Sequence, residues 1–283
     1  MAQAGSRHEG WLRCAVSRAA PFLTVLAAWE AIARVGPFPR GLFPPLAVVG
    51  SALLQSIASG LLWGSALGSL QRLLVGFLMA ATVGLSIGIL MGRYRLAEDV
   101  LMPAVSTGLA IPGVAYAPLF VLWFGLGDLP AILLVGLASS FTIIVNTAKG
   151  VQAVRDILIR AALSLGTSER QMFYKVILPG ALPDILTALR LGLAQAWRNL
   201  VAIEMLTAVT HGLGSMIFTA QQFLNTGLML TGVAFIALLG ALLEKQVFVR
   251  LERAPSCIGE CFPMTESDTA DRRRDLWFPE SAA

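Results

Sequence analysis

The chain has 283 residues, of which 56% are hydrophobic and only 13% charged, about half the roughly 25% charged share of a soluble domain; its mean hydropathy is +0.74. So few charges exclude a disordered chain, a nucleic-acid-binding domain and an ordinary soluble enzyme. The 21 basic and 17 acidic residues must lie outside whatever apolar medium holds the rest, and an all-α integral membrane protein is the economical reading.

In chain order, residues 1–18 form a segment carrying Arg7, Arg13 and Arg18. No small-x-small cleavage site follows, because Arg34, Pro37 and Arg40 occupy that zone, so the first helix is read as an uncleaved anchor. It is placed at Ala19–Val35, carries Glu30, and ends at Gly36-Pro37-Phe38-Pro39. Four runs are free of Asp, Glu, Lys and Arg: Leu73–Gly92, Val100–Leu126, Leu129–Ala148 and Leu206–Leu243. A spanning helix needs about 20 apolar residues, whereas a strand of a membrane barrel would be about 10 with strict alternation. Five further spans are therefore expected, at Ala66–Met91, Met102–Trp123, Leu129–Thr147, Ile185–Val209 and Leu228–Val249. Gly125-Leu126-Gly127-Asp128 reads as a tight turn, and 251–283 as a polar tail.

With six spans, seventeen basic residues fall on one side: Arg7, Arg13, Arg18, Arg93, Arg95, Lys149, Arg155, Arg160, Arg170, Lys175, Arg190, Lys245, Arg250, Arg253, Arg272, Arg273 and Arg274. Arg34 and Arg40 face the other. That bias places both termini in the cytoplasm. Cys14, Cys257 and Cys261 then lie in a reducing compartment as free thiols. No second pair or His cluster accompanies them, so no metal site is expected.

The segment 155–183 is the informative one. It reads as a short helix to Leu165, a turn closed by Gly166, and a second helix capped by Thr167 or Ser168. Met172, Phe173, Val176 and Ile177 give that helix an apolar face, and Pro179 and Pro183 are expected to stop it before the next span. A structured helix-turn-helix on the cytoplasmic side of a membrane protein offers a docking knob to a soluble partner.

This segment resembles the E-A-A-x3-G-x9-I-x-L-P signature of ATP-binding cassette (ABC) importer permeases. Ala161, Ala162, Gly166, Leu178 and Pro179 match at the family spacing, Val176 stands for Ile, and Arg160 departs from the usual Glu. Further segments look like the nitrate/sulfonate/taurine branch of that family: Leu42-Phe-Pro-Pro45, Ser69–Phe77, Pro118–Gly127, Asn146-Thr147, Ala196-Trp197 and Glu204-Met205. The resemblance runs from about Leu42 to Leu251 and implies a permease domain at 60–250 with a type I ABC importer core. It also implies cytoplasmic ABC ATPase subunits that dock on the 155–183 segment, an extracytoplasmic solute-binding protein, and a second permease subunit, as a homodimer. The setting is the bilayer of a bacterial cytoplasmic membrane. The solute implied is a small anion of sulfonate, taurine or nitrate type.

Within the spans the ionisable residues are few, and such groups face a bundle interior or an aqueous cavity. Arg72, Arg198 and Glu204 are the candidates. Arg72 is a possible cross-helix partner for Glu204; Arg198 reads either as a structural or interfacial group or as part of a cationic path for an anion. Six residues place Arg198 and Glu204 about 120° from a common face, so they are not expected to pair. Asn146 and Lys149 read as a helix end, Trp63 and Trp123 as interfacial residues, and His211 as a solvated loop residue. Gly76, Gly84, Gly88 and Gly92 form a stripe for close helix contact, either within one subunit or across a dimer.

No G-x-x-x-x-G-K-[ST], H-E-x-x-H or G-x-S-x-G motif is present. The chain is therefore not expected to be an enzyme, and no cofactor is expected; ATP hydrolysis belongs to a separate subunit. An ion-coupled secondary transporter is the alternative, and it would predict inverted repeats and more mid-membrane carboxylates.

Overall fold

The computed structural model describes residues 20–252 apart from 22, 37, 38, 40, 155 and 208, and without side chains at 156, 157 and 246–252. Arg7, Arg13, Arg18, Arg40, Arg155, the three cysteines and the tail beyond 252 thus fall outside the described residues, as does the side chain of Arg250. All regular structure among the described residues is helical: α1 (23–35), α2 (Leu46–Ala58), α3 (Leu61–Arg93), α4 (Arg95–Ala110), α5 (Ala117–Phe124), α6 (Asp128–Gln152), α7 (Asp156–Ser164), α8 (Glu169–Met172), α9 (Leu178–Leu206), α10 (Leu213–Gln222) and α11 (Thr226–Glu252). The compact unit runs to Ala241, within α11, and a second unit starts at Leu242.

Four helical stretches are long and apolar enough to cross a membrane: Leu61–Arg93, Asp128–Gln152, Glu169–Leu206 and Thr226–Lys245. Glu30, the charge inside α1, accepts the backbone N–H of Leu46 at 2.8 Å, while Trp29 donates to Pro44 O and stacks on Phe43. α1 thereby holds the start of α2, a helix absent from the sequence reading. At 13 residues α2 is only about 20 Å long, too short to cross.

The span expected at Met102–Trp123 is broken. Ile111 takes an extended conformation (φ −83°, ψ 124°) before Pro112, as the residue preceding a proline favours. The chain then makes a 3₁₀ turn, Gly113–Tyr116, and α5, and the helical segments on either side of Pro112 meet at 92°. The prolines expected to stop the docking helix do the opposite. Helical structure is continuous from Glu169 to Leu206, through a wide π-type turn at Phe173–Ile177. Pro179 falls in the first turn of α9, where a missing N–H breaks no helical bond. Pro183 lies inside the helix.

The core is the contact of α3 with α6. A Cβ on Gly84 would lie 2.8 Å from Ile143, one on Gly88 2.7 Å from Thr147, and one on Gly92 2.6 Å from Val151. With Gly76 against Val135, the stripe therefore serves packing within one subunit. Met91, Val105, Ile144 and Ala148 pack as one cluster of α3, α4 and α6; Val151, Val154, Ala181 and Ile185 join the end of α6 to the start of α9.

A side chain at Gly88 would have to push Thr147 and the Ile144 carbonyl aside. Gly88→Val is expected to destabilise the purified protein by about 1–3 kcal/mol, the usual cost of overpacking. Denaturation followed by tryptophan fluorescence checks this; an unchanged midpoint contradicts the close approach.

Candidate functional site

Three polar features interrupt the apolar bundle. The first joins α3, α6, α9 and α10. Arg72 of α3 is buried and donates from Nη1 to Glu204 Oε1 of α9 at 2.7 Å. Its Nε donates to Asp128 Oδ1 at 2.8 Å, and Nη2 lies 2.8 Å from the same oxygen. Asp128 opens α6, where a carboxylate also suits the positive end of the helix dipole. Glu204 has no exposed surface. Besides Arg72 it accepts from Ser69 Oγ (2.8 and 2.9 Å) and from the Gly214 N–H (3.0 Å).

Ser69 Oγ in turn accepts the Leu213 N–H at 2.9 Å. Two otherwise unpaired N–H groups at the start of α10 are thus satisfied by side chains of α3 and α9. The same corner has no room for larger residues, since a Cβ on Gly214 would lie 2.3 Å from Val201 O, and one on Gly212 2.8 Å from Glu204.

The second feature is the segment between α6 and α9. Gly166 has φ +71°, a conformation glycine adopts without penalty, and it closes α7: its N–H donates to Leu163 O, and that of Thr167 to Ala162 O. Ser168 then caps α8 in a reciprocal capping box with Gln171. Ala162 is buried, whereas Ala161 and Pro179 are exposed and Val176 and Leu178 half-buried. Leu178, Ile159 and Ile177 pack on the α6–α9 core. Leu163, Leu165 and Tyr174 face outward, Leu165 being 86% exposed. Arg93, at the end of α3, lies over the Phe173 ring at 5.0 Å and 3.6 Å from Glu169. Arg160, at the place of the signature Glu, is exposed on α7.

The third feature lies along α9. Asp184, Thr187, Leu191 and Arg198 are exposed and fall within about 60° of one another around the helix at 3.6 residues per turn. Arg198 Nη2 donates to Gln195 Oε1 at 2.9 Å, and Gln195 Nε2 to Asn199 Oδ1 at 3.4 Å. Asn199 Nδ2 is buried and without a hydrogen-bond partner among the described residues.

A family model described as "Binding-protein-dependent transport system inner membrane component" matches residues 84–245. The chain belongs to this family. It is thus an inner-membrane, multi-pass ABC importer permease and a transport subunit, with ATP hydrolysis in a separate polypeptide.

This permease is 39% identical over 225 residues to the taurine transport system permease protein TauC of Escherichia coli (strain K12), a match covering 78% of this chain and 82% of that protein. To the putative aliphatic sulfonates transport permease protein SsuC of Bacillus subtilis (strain 168) it is 35% identical over 247 residues, 87% of each chain. Its fold is similar to that in inward-facing structures of the MetNI methionine ABC transporter, with a TM-score of 0.59 at 20% identity, over 68% of this chain and 95% of that one.

Of the three intramembrane candidates, the permease fold brings Arg72 and Glu204 together and leaves Arg198 apart on the exposed face of α9. Sequence reasoning missed Asp128, Ser69 and the start of α10 as members of the ion cluster. Asp128 carried a signal, being the lone acid between two charge-free runs. Ser69 carried none beyond its place in the family-like segment.

Removing one partner of a buried pair strands the other, which costs about 3–5 kcal/mol. Arg72→Ala is expected to lower stability by that amount. Ser69→Ala, which removes one donor to Glu204 and the acceptor of Leu213 N–H, is expected to cost about 1–3 kcal/mol. Chemical denaturation of the detergent-purified permease measures both; equal midpoints for wild type and Arg72→Ala contradict a buried pair.

Proposed function

We propose that the permease carries a small sulfonate-type anion into the cell, as half of a homodimer with both termini cytoplasmic. It works with ABC ATPase subunits and an extracytoplasmic binding protein. The similarity to taurine and sulfonate permeases, over more than three quarters of the chain, carries the substrate reading. The excess of basic residues on the side that holds the 155–183 segment supports the orientation.

In this reading the ATPase seats the knob formed by Ala161, Ala162, Gly166, Val176, Leu178 and Pro179, with Leu163, Leu165 and Tyr174 as its apolar contacts. Each of those three is at least 54% exposed and so is free to meet a partner surface. Closure of the ATPase pair pulls this segment, and α9, continuous with it, carries the movement into the bundle. Access to the central path alternates accordingly.

The ion-coupled alternative has no support in the site. A coupling carboxylate must release and regain its cation. Glu204 is instead held by Arg72, Ser69 and Gly214 N–H together.

At φ +71° a β-branched residue strains the turn by about 1–2 kcal/mol. Gly166→Val is therefore expected to leave the chain inserted and to abolish ATP-driven uptake of labelled taurine. A cysteine at Ser168 is expected to crosslink to the ATPase. Labelling of that cysteine from outside intact cells contradicts the orientation, and uptake at the wild-type rate in Gly166→Val contradicts the docking role.

A further inference from the structure

Arg72 and Arg198 differ in how their charge is answered. Arg72 touches two carboxylates, Asp128 and Glu204, so that cluster carries no spare positive charge. Arg198 touches none among the described residues; its Nη2 donates to the neutral amide of Gln195. The acid on its own exposed stripe is Asp184, fourteen residues and thus about 21 Å away along the axis. Among the described residues Arg198 is therefore a cation without a counter-charge, placed about 12 Å from the nearer end of α9 at 1.5 Å per residue.

Arg198 Nη2 bonds Gln195, one turn toward the N-terminus of α9, the direction in which helical side chains lean. The guanidinium thus lies along the exposed stripe that also bears Thr187. Beside it stands a second unanswered donor, the buried Asn199 Nδ2, and Gln195 bridges the two through both ends of its amide. Asn199 Nδ2 adjoins the Pro112–Gly113 break between α4 and α5: a Cβ on Gly113 would lie 3.0 Å from it. Interruptions of this kind are tolerated at membrane depth only where they are buried in protein or line a cavity.

We propose that Arg198 and Gln195 form an oxyanion site in the translocation path, with Arg198 as the charge that accepts the sulfonate group and Asn199 holding Gln195 in place through its Oδ1. The site rests on the reading of the permease as a carrier of small sulfonates. A guanidinium presents its donors as a fork that fits two oxygens of one tetrahedral anion. With a single uncompensated charge the site holds a monoanion without trapping it, as a way-station in a path must.

The test uses the complete importer in liposomes, with Cys14, Cys257 and Cys261 changed to serine, and taurine and ethanesulfonate as probes. Arg198→Cys is expected to lower uptake of both about ten- to hundredfold, the loss expected for one charge-assisted hydrogen bond, with the complex still assembled. Aminoethyl methanethiosulfonate, which leaves a cation at position 198, is expected to restore uptake; methyl methanethiosulfonate, which leaves none, is not. Uptake in Arg198→Cys within about twofold of the parent, equal rescue by both reagents, or no modification by the aminoethyl reagent in the assembled complex each overturns the site. If the unsubstituted importer takes up neither sulfonate, the substrate reading itself falls, and that result is seen before any change at Arg198.

Discussion

Ile143 of α6 fills the space left by two missing Cβ atoms. A Cβ on Gly84 of α3 would lie 2.8 Å from it, and one on Gly192 of α9 2.4 Å. In a bilayer there is no hydrophobic gain when apolar helices meet, because lipid is as apolar as the partner helix. Close contact between backbones must supply the attraction instead, through dispersion summed over many short distances. Gly88 and Gly92 extend the same contact toward one end of the bundle and Gly76 toward the other. The order of α3, α6 and α9 around Ile143 decides where every polar feature lies.

Polar groups then fix what close packing leaves adjustable, the register and the ends. Arg72, Asp128 and Glu204 tie three helices together, and Ser69 and Glu204 together cap the fourth, α10. A buried ion pair is weak evidence of net stability, since desolvation offsets most of its attraction. Its effect is to penalise alternatives: any slip of α9 against α3 by one residue would leave Glu204 unpaired in an apolar interior. At the other end Arg93 bridges α3 to the docking segment through Glu169 and Phe173. Because that bridge is partly exposed, it is weaker and more easily remade.

Features set by composition over long windows were legible in the sequence. The charge-free runs located α3, α6 and α11, and Gly166 with Ser168 marked the turn and cap between α7 and α8. Features set by tertiary context were not. α2 is short, and α1 holds its first turn through Glu30, a contact sixteen residues away in sequence. α10 was read as a loop around His211, because ten residues bounded by glycines give little periodic signal; its first turn depends on Ser69 and Glu204. Proline was misjudged in both directions. Pro112 broke an expected span, whereas Pro179 and Pro183 sit inside a continuous rod. The difference is position: Pro112 follows an extended residue in mid-span, whereas Pro179 opens α9 just after a wide turn.

That rod runs from Glu169, beside Arg93, to Leu206, two residues past Glu204. On the proposed docking role, a pull at its Glu169 end would reach Glu204 along helical backbone, and Arg72 and Asp128 would pass it to α3 and α6. The π-type turn at Phe173–Ile177 and Pro183, which lacks an N–H, are where the rod's hydrogen bonding departs from the regular pattern, so changes of direction are absorbed most readily there. α4 and α5 stand apart from this load path. They are separated from each other by the Pro112 break, and no ion pair joins them to α9 among the described residues. The bundle therefore sets a continuous helix beside a broken one, and Asn199 Nδ2, without a hydrogen-bond partner among the described residues, lies where the two meet.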